Sequence, residues 1–263
     1  MPLVTLTSDY GVGSTYAALL HGALYSALPD VRVIDVTHAI RRFDVVEAAL
    51  LMGQMLHHFP VGSVHLCGVR AAAKDRTLRA VRFDGRWVLA ADTGLFRLME
   101  CGEPESVVDL TVNGSPAFPE LDVFVPVAVH LLRGDHPAGV GTVGGELHHA
   151  ESRRPTWEAG ALVGHVAHID GYGNCITNIH RRDFEGAGTG RPFVIRQRMV
   201  RMEIRKLHAS YEDVAPGERV ALFNRAGYLE IAINCHSVPG GKGGADSLLG
   251  LSHGTQVRVD FEG

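Results

Sequence analysis

Apolar residues repeat in two different ways along this chain. In the first part, short apolar runs alternate with longer segments of helical spacing. Residues 3–7 read as a strand, and Tyr16, Leu19, Leu20, Ala23, Leu24 and Ala27 then follow a 3.6-residue period until Pro29 ends it. Residues 31–36 read as a second strand. Asp44 and Glu47 form a helix-opening box before residues 45–56, where side-chain oxygens satisfy amides that the first turn leaves unpaired. Residues 63–69 give a third strand. Residues 78–83 and 87–91 flank Asp84-Gly85, a pair suited to the positive φ angles of a tight hairpin. This alternation predicts an α/β domain with a central sheet flanked by helices.

From about residue 160 the period shortens. Residues 162–169, 193–198, 199–205, 219–223, 228–233 and 256–261 read as short strands, and only 246–251 reads as a helical turn. Six such strands predict a small antiparallel barrel or sandwich. The polar stretch 144–160, with Glu146, Glu151, Arg153, Arg154 and Pro155, marks the boundary. We expect an N-terminal α/β domain over 1–150 and a C-terminal antiparallel β-barrel over 160–263, with no internal repeat.

Composition then narrows the function. The 263 residues are 46% hydrophobic and 21% charged, values of a globular chain rather than a disordered or fibrous one. A net charge of -4 offers no basic excess to hold nucleic acid. No apolar run reaches the ~20 residues a membrane helix needs. The start MPLVTLTSDYG lacks the basic and apolar regions of a signal peptide, so the cytoplasm is the expected location. Cys67, Cys101, Cys175 and Cys235 stand singly and read as small buried thiols. Fifteen histidines include His57-His58 and His148-His149, but adjacent helical side chains point apart and neither pair has partners at metal-ligand spacing. No metal is expected. The glycine-rich segment 239–244 lacks phosphate-loop spacing and reads as a flexible loop.

Ser8-Asp9-Tyr10-Gly11 directly follows the first strand, and open α/β sheets bind ligands beyond the carboxyl ends of their strands. Asp9 suits either the vicinal hydroxyls of a ribose or a turn. His168-Ile169-Asp170-Gly171-Tyr172-Gly173-Asn174 combines a carboxylate, an aromatic face and an amide with two glycines. The same pattern also describes a tight turn. Tyr211 and Tyr228 suit stacking on a heteroaromatic ring or ordinary packing.

Thr7-Ser8-Asp9-Tyr10-Gly11, Asp35-Val36-Thr37-His38, Phe43-Asp44, Thr93-Gly94-Leu95-Phe96, Val125-Pro126-Val127-Ala128, the 168–174 segment, Thr177-Asn178-Ile179 and Gly227-Tyr228-Leu229-Glu230-Ile231-Ala232 occur in this order. Together they resemble the S-adenosylmethionine hydroxide adenosyltransferase family, which includes the fluorinase and chlorinase. The resemblance spans nearly the whole chain. It implies an N-terminal α/β domain followed by a small β-barrel, in a homotrimer whose sites lie between one subunit's N-domain and a neighbour's C-domain. It further implies S-adenosylmethionine or adenosine as the ligand, with no cofactor beyond S-adenosylmethionine as substrate. Asp9 would hold the ribose hydroxyls, and Phe43 and Tyr211 would line the nucleoside pocket with Phe118. Asp170, Tyr172 and Asn174 would contact the adenine and the methionine amino group, and Arg225 would stand near the methionine end.

Hydrolytic members of that family resemble one another in an Asp-Arg-His set that activates water. Here Val69-Arg70-Ala71-Ala72-Ala73-Lys74 replaces VDPGVG, which puts Arg70 in the aspartate position and Thr77 in the arginine position. Phe118-Pro119-Glu120-Leu121-Asp122 replaces FHGRD, which puts Pro119 in the histidine position. Arg70 would repel a sulfonium unless it is paired. One reading is an enzyme that transfers the adenosyl group to water with Asp75 or Glu120 as a substitute base. The others are a halide-using version, a nucleoside-binding module without turnover, in which Arg70 favours an anionic ligand, and a structural oligomer.

Overall fold

The computed structural model describes residues 1–72, 76–114, 116–150, 154–197, 202–234 and 243–262. The chain forms two compact units, 1–151 and 152–263.

The first unit contains β1 (Leu3–Thr7), α1 (Thr15–Ala27), β2 (Arg32–Thr37), α2 (Val45–Leu56), β3 (Val64–Cys67), β4 (Leu78–Phe83), β5 (Arg86–Ala91), α3 (Leu95–Leu98), β6 (Ser106–Leu110), α4 (Val125–Leu132) and β7 (Gly141–Val143). Its sheet runs β2-β1-β3-β5-β4-β6-β7, with the first four strands parallel and the last three antiparallel. Helices cover both faces, which is why every residue of β3 and β5 is buried rather than every second one. Leu66, Leu89 and Ala91 pack with α1 and α4, while Cys67, Val88 and Ala90 point the other way and pack with α2 and α3. Asp44 caps α2 by accepting the Glu47 amide at 2.9 Å. The Glu47 carboxylate turns instead to the Arg41 amide and guanidinium, at 3.0 and 3.1 Å.

The second unit contains β8 (Thr156–Glu158), β9 (Ala161–Ile169), β10 (Cys175–His180), α5 (Arg181–Gly188), β11 (Phe193–Gln197), β12 (Met202–Ile204), β13 (Arg219–Phe223), β14 (Tyr228–Ile233), α6 (Ala245–Leu248) and β15 (Gln256–Phe261). The antiparallel order β12-β11-β15-β9-β10-β14-β13 brings its two end strands together, so the sheet nearly closes into a barrel. β8 pairs with β9 beside this path. The mixed α/β architecture with a barrel-like second part matches the expected fold class. Four elements of this unit need correction: β8, β10 and α5 are additional, and α6 starts one residue earlier and is shorter than predicted. α5 is mostly polar and buries only Phe184 fully in the core, where its ring meets Phe193, Phe223 and Phe261, with Ala187 packed beside it. A single apolar anchor leaves no readable period.

Cys67 and Cys175 are buried, whereas Cys101 is only partly so; all three are free thiols. Cys235, Asp75 and most of the glycine-rich segment lie outside the described residues. No helix among the described residues is long and apolar enough to cross a membrane.

Candidate active site

The carboxyl ends of β1, β2 and β3 carry the candidate chemistry of the first unit. As β1 ends, the Ser8 amide donates to Thr37 O at 2.9 Å and the Gly11 amide donates to His38 O at 2.8 Å, which ties this turn to the end of β2. Between them, Asp9 Oδ2 accepts the Phe43 amide at 2.7 Å. Among the described residues Asp9 Oδ1 has no hydrogen-bond partner and remains available to a ligand hydroxyl. Phe43 has φ 62 and is 69% exposed. A bulky residue in the left-handed region is strained, and such strain concentrates at functional loops. Here the Asp9 carboxylate holds the strained peptide in place.

Glu120 stands beside this turn. It opens a π-helical turn, Glu120–Phe124, that leads into α4. Such turns reposition side chains and are frequent at functional sites. Glu120 is 4% exposed, and its Oε1 accepts the Tyr10 hydroxyl at 2.5 Å. Gly68, just past β3, makes room for the pair: a Cβ there would lie 2.5 Å from Tyr10 Oη and 2.7 Å from Glu120 Oε1. Burial raises the Glu120 carboxyl above its ordinary range, as do the charges of Asp9 and Asp122, against the lowering bond from Tyr10. Burial, followed by the Glu120 charge, likewise raises the Tyr10 hydroxyl. Phe118 completes an aromatic wall, with its ring centroid 6.0 Å from Tyr10 and 5.1 Å from Tyr16.

The segments around the substituted positions share a cavity of about 560 Å³. Ala71, Ala72, Arg76, Thr77, Leu110 and Pro119 contribute to its lining. Thr77 and Pro119 thus line one cavity, although neither side chain can serve as a base. Arg70, with φ 56, occupies a left-handed turn and its side chain is exposed.

In the second unit Asp170 organises the turn between β9 and β10. Its Oδ1 accepts the amides of Tyr172 and Asn174, both at 2.9 Å, and its Oδ2 accepts Asn174 Nδ2 at 3.0 Å. The turn reading holds: the carboxylate fixes the loop and holds the Asn174 amide in one orientation. Tyr172 is 81% exposed. Gly173 (φ 78) is required here, since a Cβ would lie 2.2 Å from Asp246 Oδ1. Tyr211 donates its hydroxyl to Glu230 Oε1 at 2.6 Å. Glu230 is buried, which raises its carboxyl; the Tyr211 bond opposes the rise and the Asp170 charge adds to it. Tyr228 instead packs edge-on against His180, with centroids 5.1 Å apart.

Arg225 is not brought to this cluster. It sits in the β13–β14 turn, next to the Tyr228–His180 pair, while Asp170 and Asn174 adjoin the Cys175 end of β10. Five strand residues separate the two ends, about 17 Å at the usual rise. Sequence reasoning missed Tyr10 as the partner of Glu120 and Glu230 as the partner of Tyr211. Both lie inside motifs that were read, but each pairing spans loops that only folding brings together.

An open mixed sheet with acidic groups at its strand ends, joined in one chain to an antiparallel barrel carrying a carboxylate-amide turn, defines the class of protein. Sequence comparison supplies the family. Residues 4–141 match the SAM hydroxide adenosyltransferase N-terminal domain, and residues 164–258 match the C-terminal domain. The chain belongs to the S-adenosylmethionine hydroxide adenosyltransferase family. It is 30% identical to an (R)-S-adenosyl-L-methionine hydrolase of Thermus thermophilus, covering 97% of this chain and 98% of that one. It is 26% identical to a fluorinase of Nocardia brasiliensis, covering 90% and 92%. Among solved structures, an uncharacterized conserved protein from Thermotoga maritima superposes with a TM-score of 0.83 at 24% identity, covering 99% of this chain and all of that one. A conserved hypothetical protein from Thermus thermophilus superposes with a TM-score of 0.75 at 28% identity, covering 98% and all of it.

Proposed function

We propose that this protein transfers the adenosyl group of S-adenosylmethionine to water, giving adenosine and methionine, with Glu120 as the base. The observation that carries this reading is the buried Glu120 carboxylate, raised above its ordinary range and set beside Asp9 at the strand ends. A base tuned upward is better matched to removing a proton near neutral pH. In the reaction the water oxygen bonds to C5′ of the ribose and the C5′–S bond breaks. Its electron pair returns to sulfur, and the water proton passes to Glu120. Asp9 Oδ1 receives a ribose hydroxyl, while Tyr10 holds one oxygen of Glu120 and leaves the other for water.

Charge favours this reading over its alternatives. Asp9 and Glu120 attract a cationic sulfonium, and a buried carboxylate at the nucleophile's position repels a halide. Arg70, just past β3, is exposed, so solvent and salt screen its attraction for an anionic nucleotide more than they screen the buried Glu120. We assign Asp170, Asn174 and Tyr211 to the adenine and amino-acid ends of the ligand. The complete site then forms between subunits of a homotrimer, and the enzyme works in the cytoplasm.

The test is incubation of purified protein with S-adenosylmethionine, with and without chloride, followed by chromatography of adenosine, 5′-chloroadenosine and methionine. Adenosine and methionine should appear in equal amounts. Glu120→Gln should lower turnover by roughly 10²–10⁴-fold, the range for loss of a general base, with adenosine affinity kept within a few-fold. Undiminished turnover would remove Glu120 from the mechanism. Absence of any enzyme-dependent product, with clear adenosine binding, would leave a nucleoside-binding member of the family.

A further inference from the structure

One imidazole touches both neighbours of Asp9. His38 Nδ1 lies 2.7 Å from the hydroxyl of Ser8, a residue only 2% exposed. Its ring lies parallel to that of Tyr10, at 7° with centroids 6.1 Å apart. On its far side, His38 Nε2 is 3.2 Å from Asp35 Oδ1, and the same oxygen is 2.8 Å from His21 Nε2. Burial works to raise the Asp35 carboxyl, but the bonds and charges of His21 and His38 outweigh it and hold it below its usual range. Asp35 is therefore an anion near neutral pH.

That anion determines which nitrogen of His38 carries the proton. The 3.2 Å approach of Asp35 Oδ1 to Nε2 is an ion-pair contact not aligned as a hydrogen bond, and its charge favours the proton on Nε2, with Nδ1 then the acceptor. The Ser8 hydroxyl then donates to Nδ1, which turns its lone pairs toward the Tyr10 amide, 3.4 Å away. We infer that His38, oriented by an Asp35 shared with His21, is a positioning residue that fixes the Ser8–Gly11 turn so that Asp9 faces a ribose and Tyr10 reaches Glu120. The ligand side of this inference rests on the proposed role of Asp9.

Covalent geometry supplies the test. The Asn amide atoms lie two bonds from Cβ, as Nδ1 does, and the Gln amide atoms lie three bonds away, as Nε2 does. His38→Asn keeps a partner for Ser8, whereas His38→Gln keeps one for Asp35 alone. Adenosine affinity, measured by calorimetry, should stay within about 3-fold of wild type in His38→Asn and fall about 10-fold or more in His38→Gln and Ser8→Ala, the scale of one lost hydrogen bond. Amide exchange provides a readout that needs no ligand. The Phe43 amide, bonded to Asp9 Oδ2, and the Gly11 amide, bonded to His38 O, should exchange at least about 10-fold faster in His38→Gln and remain protected in His38→Asn, again the scale of one lost bond. Core amides of β5 should be unaffected in all variants. Equal protection in His38→Gln and wild type would overturn the inference, as would equal loss in both His38 variants. If wild type forms no adenosine from S-adenosylmethionine, the proposed function fails, and the exchange pattern still decides the role of His38.

Discussion

His65 provides the most closely bounded prediction, because its surroundings fix a pH dependence of stability. It is fully buried on β3, with Nδ1 2.8 Å from Thr5 Oγ1 and Nε2 2.8 Å from Ser63 Oγ. Burial, and secondarily the charge of Arg86, lowers its pKa to about 4 from the ordinary 6.5. Above pH 6.5 the ring is neutral whether the chain is folded or not, and its contribution is fully present. As pH falls below 6.5 the unfolded chain takes up a proton that the folded chain refuses, so stability declines until about pH 4. Each pH unit costs about 1.4 kcal/mol, which amounts to about 2 kcal/mol by pH 5 and about 3 kcal/mol across the whole window. The measurement is urea denaturation of wild type and His65→Gln at pH 7.5 and pH 5. Other groups titrate equally in both proteins, so the difference between the two isolates His65. At pH 7.5 the variant should be the less stable, by about 1–3 kcal/mol for disturbed buried hydrogen bonds. At pH 5 the gap should shrink by about 2 kcal/mol or reverse. A gap constant to within about 0.5 kcal/mol would refute a neutral buried His65.

Asp9→Ala should weaken adenosine binding by more than about 1 kcal/mol in calorimetry, since it removes the free Oδ1 and releases the Phe43 peptide; unchanged affinity would take Asp9 out of the site. Gly68→Ala introduces a methyl where Tyr10 Oη and Glu120 Oε1 now meet. It should destabilise the fold by about 1–3 kcal/mol and reduce turnover with S-adenosylmethionine; normal activity would show that the pair is not required. Arg79 joins Asp92 at 2.6 Å and Asp109 at 2.7 Å and donates to Glu146 O, fixing the segment after β7 to the sheet. Arg79→Met strands the buried Asp92 and should cost about 3–5 kcal/mol in urea denaturation, where a loss below about 1 kcal/mol would contradict that role.

The sequence by itself determined the α/β pattern of the first part, the strand-rich second part and the loops where the chemistry lies. Periodicity is a local property, and the apolar row of residues 16–27 supplies the buried Leu20 and Leu24 of α1. The capping aspartate Asp44 and the hairpin pair Asp84-Gly85 are equally local, and both appear where the chain predicts them. α5 escaped this reading because only one large apolar residue, Phe184, with the small Ala187 beside it, contacts the core. Motif order carried the family. What tertiary structure alone decided is which groups meet. Asp9 binds a peptide 34 residues away, Tyr10 binds a carboxylate 110 residues away, and Tyr211 binds Glu230 across two strands. It also exposed Arg70 and set Arg225 at the opposite end of β14 from Asp170. Such pairings arise from strand order and register, which depend on how whole elements pack, and no spacing along the chain encodes them.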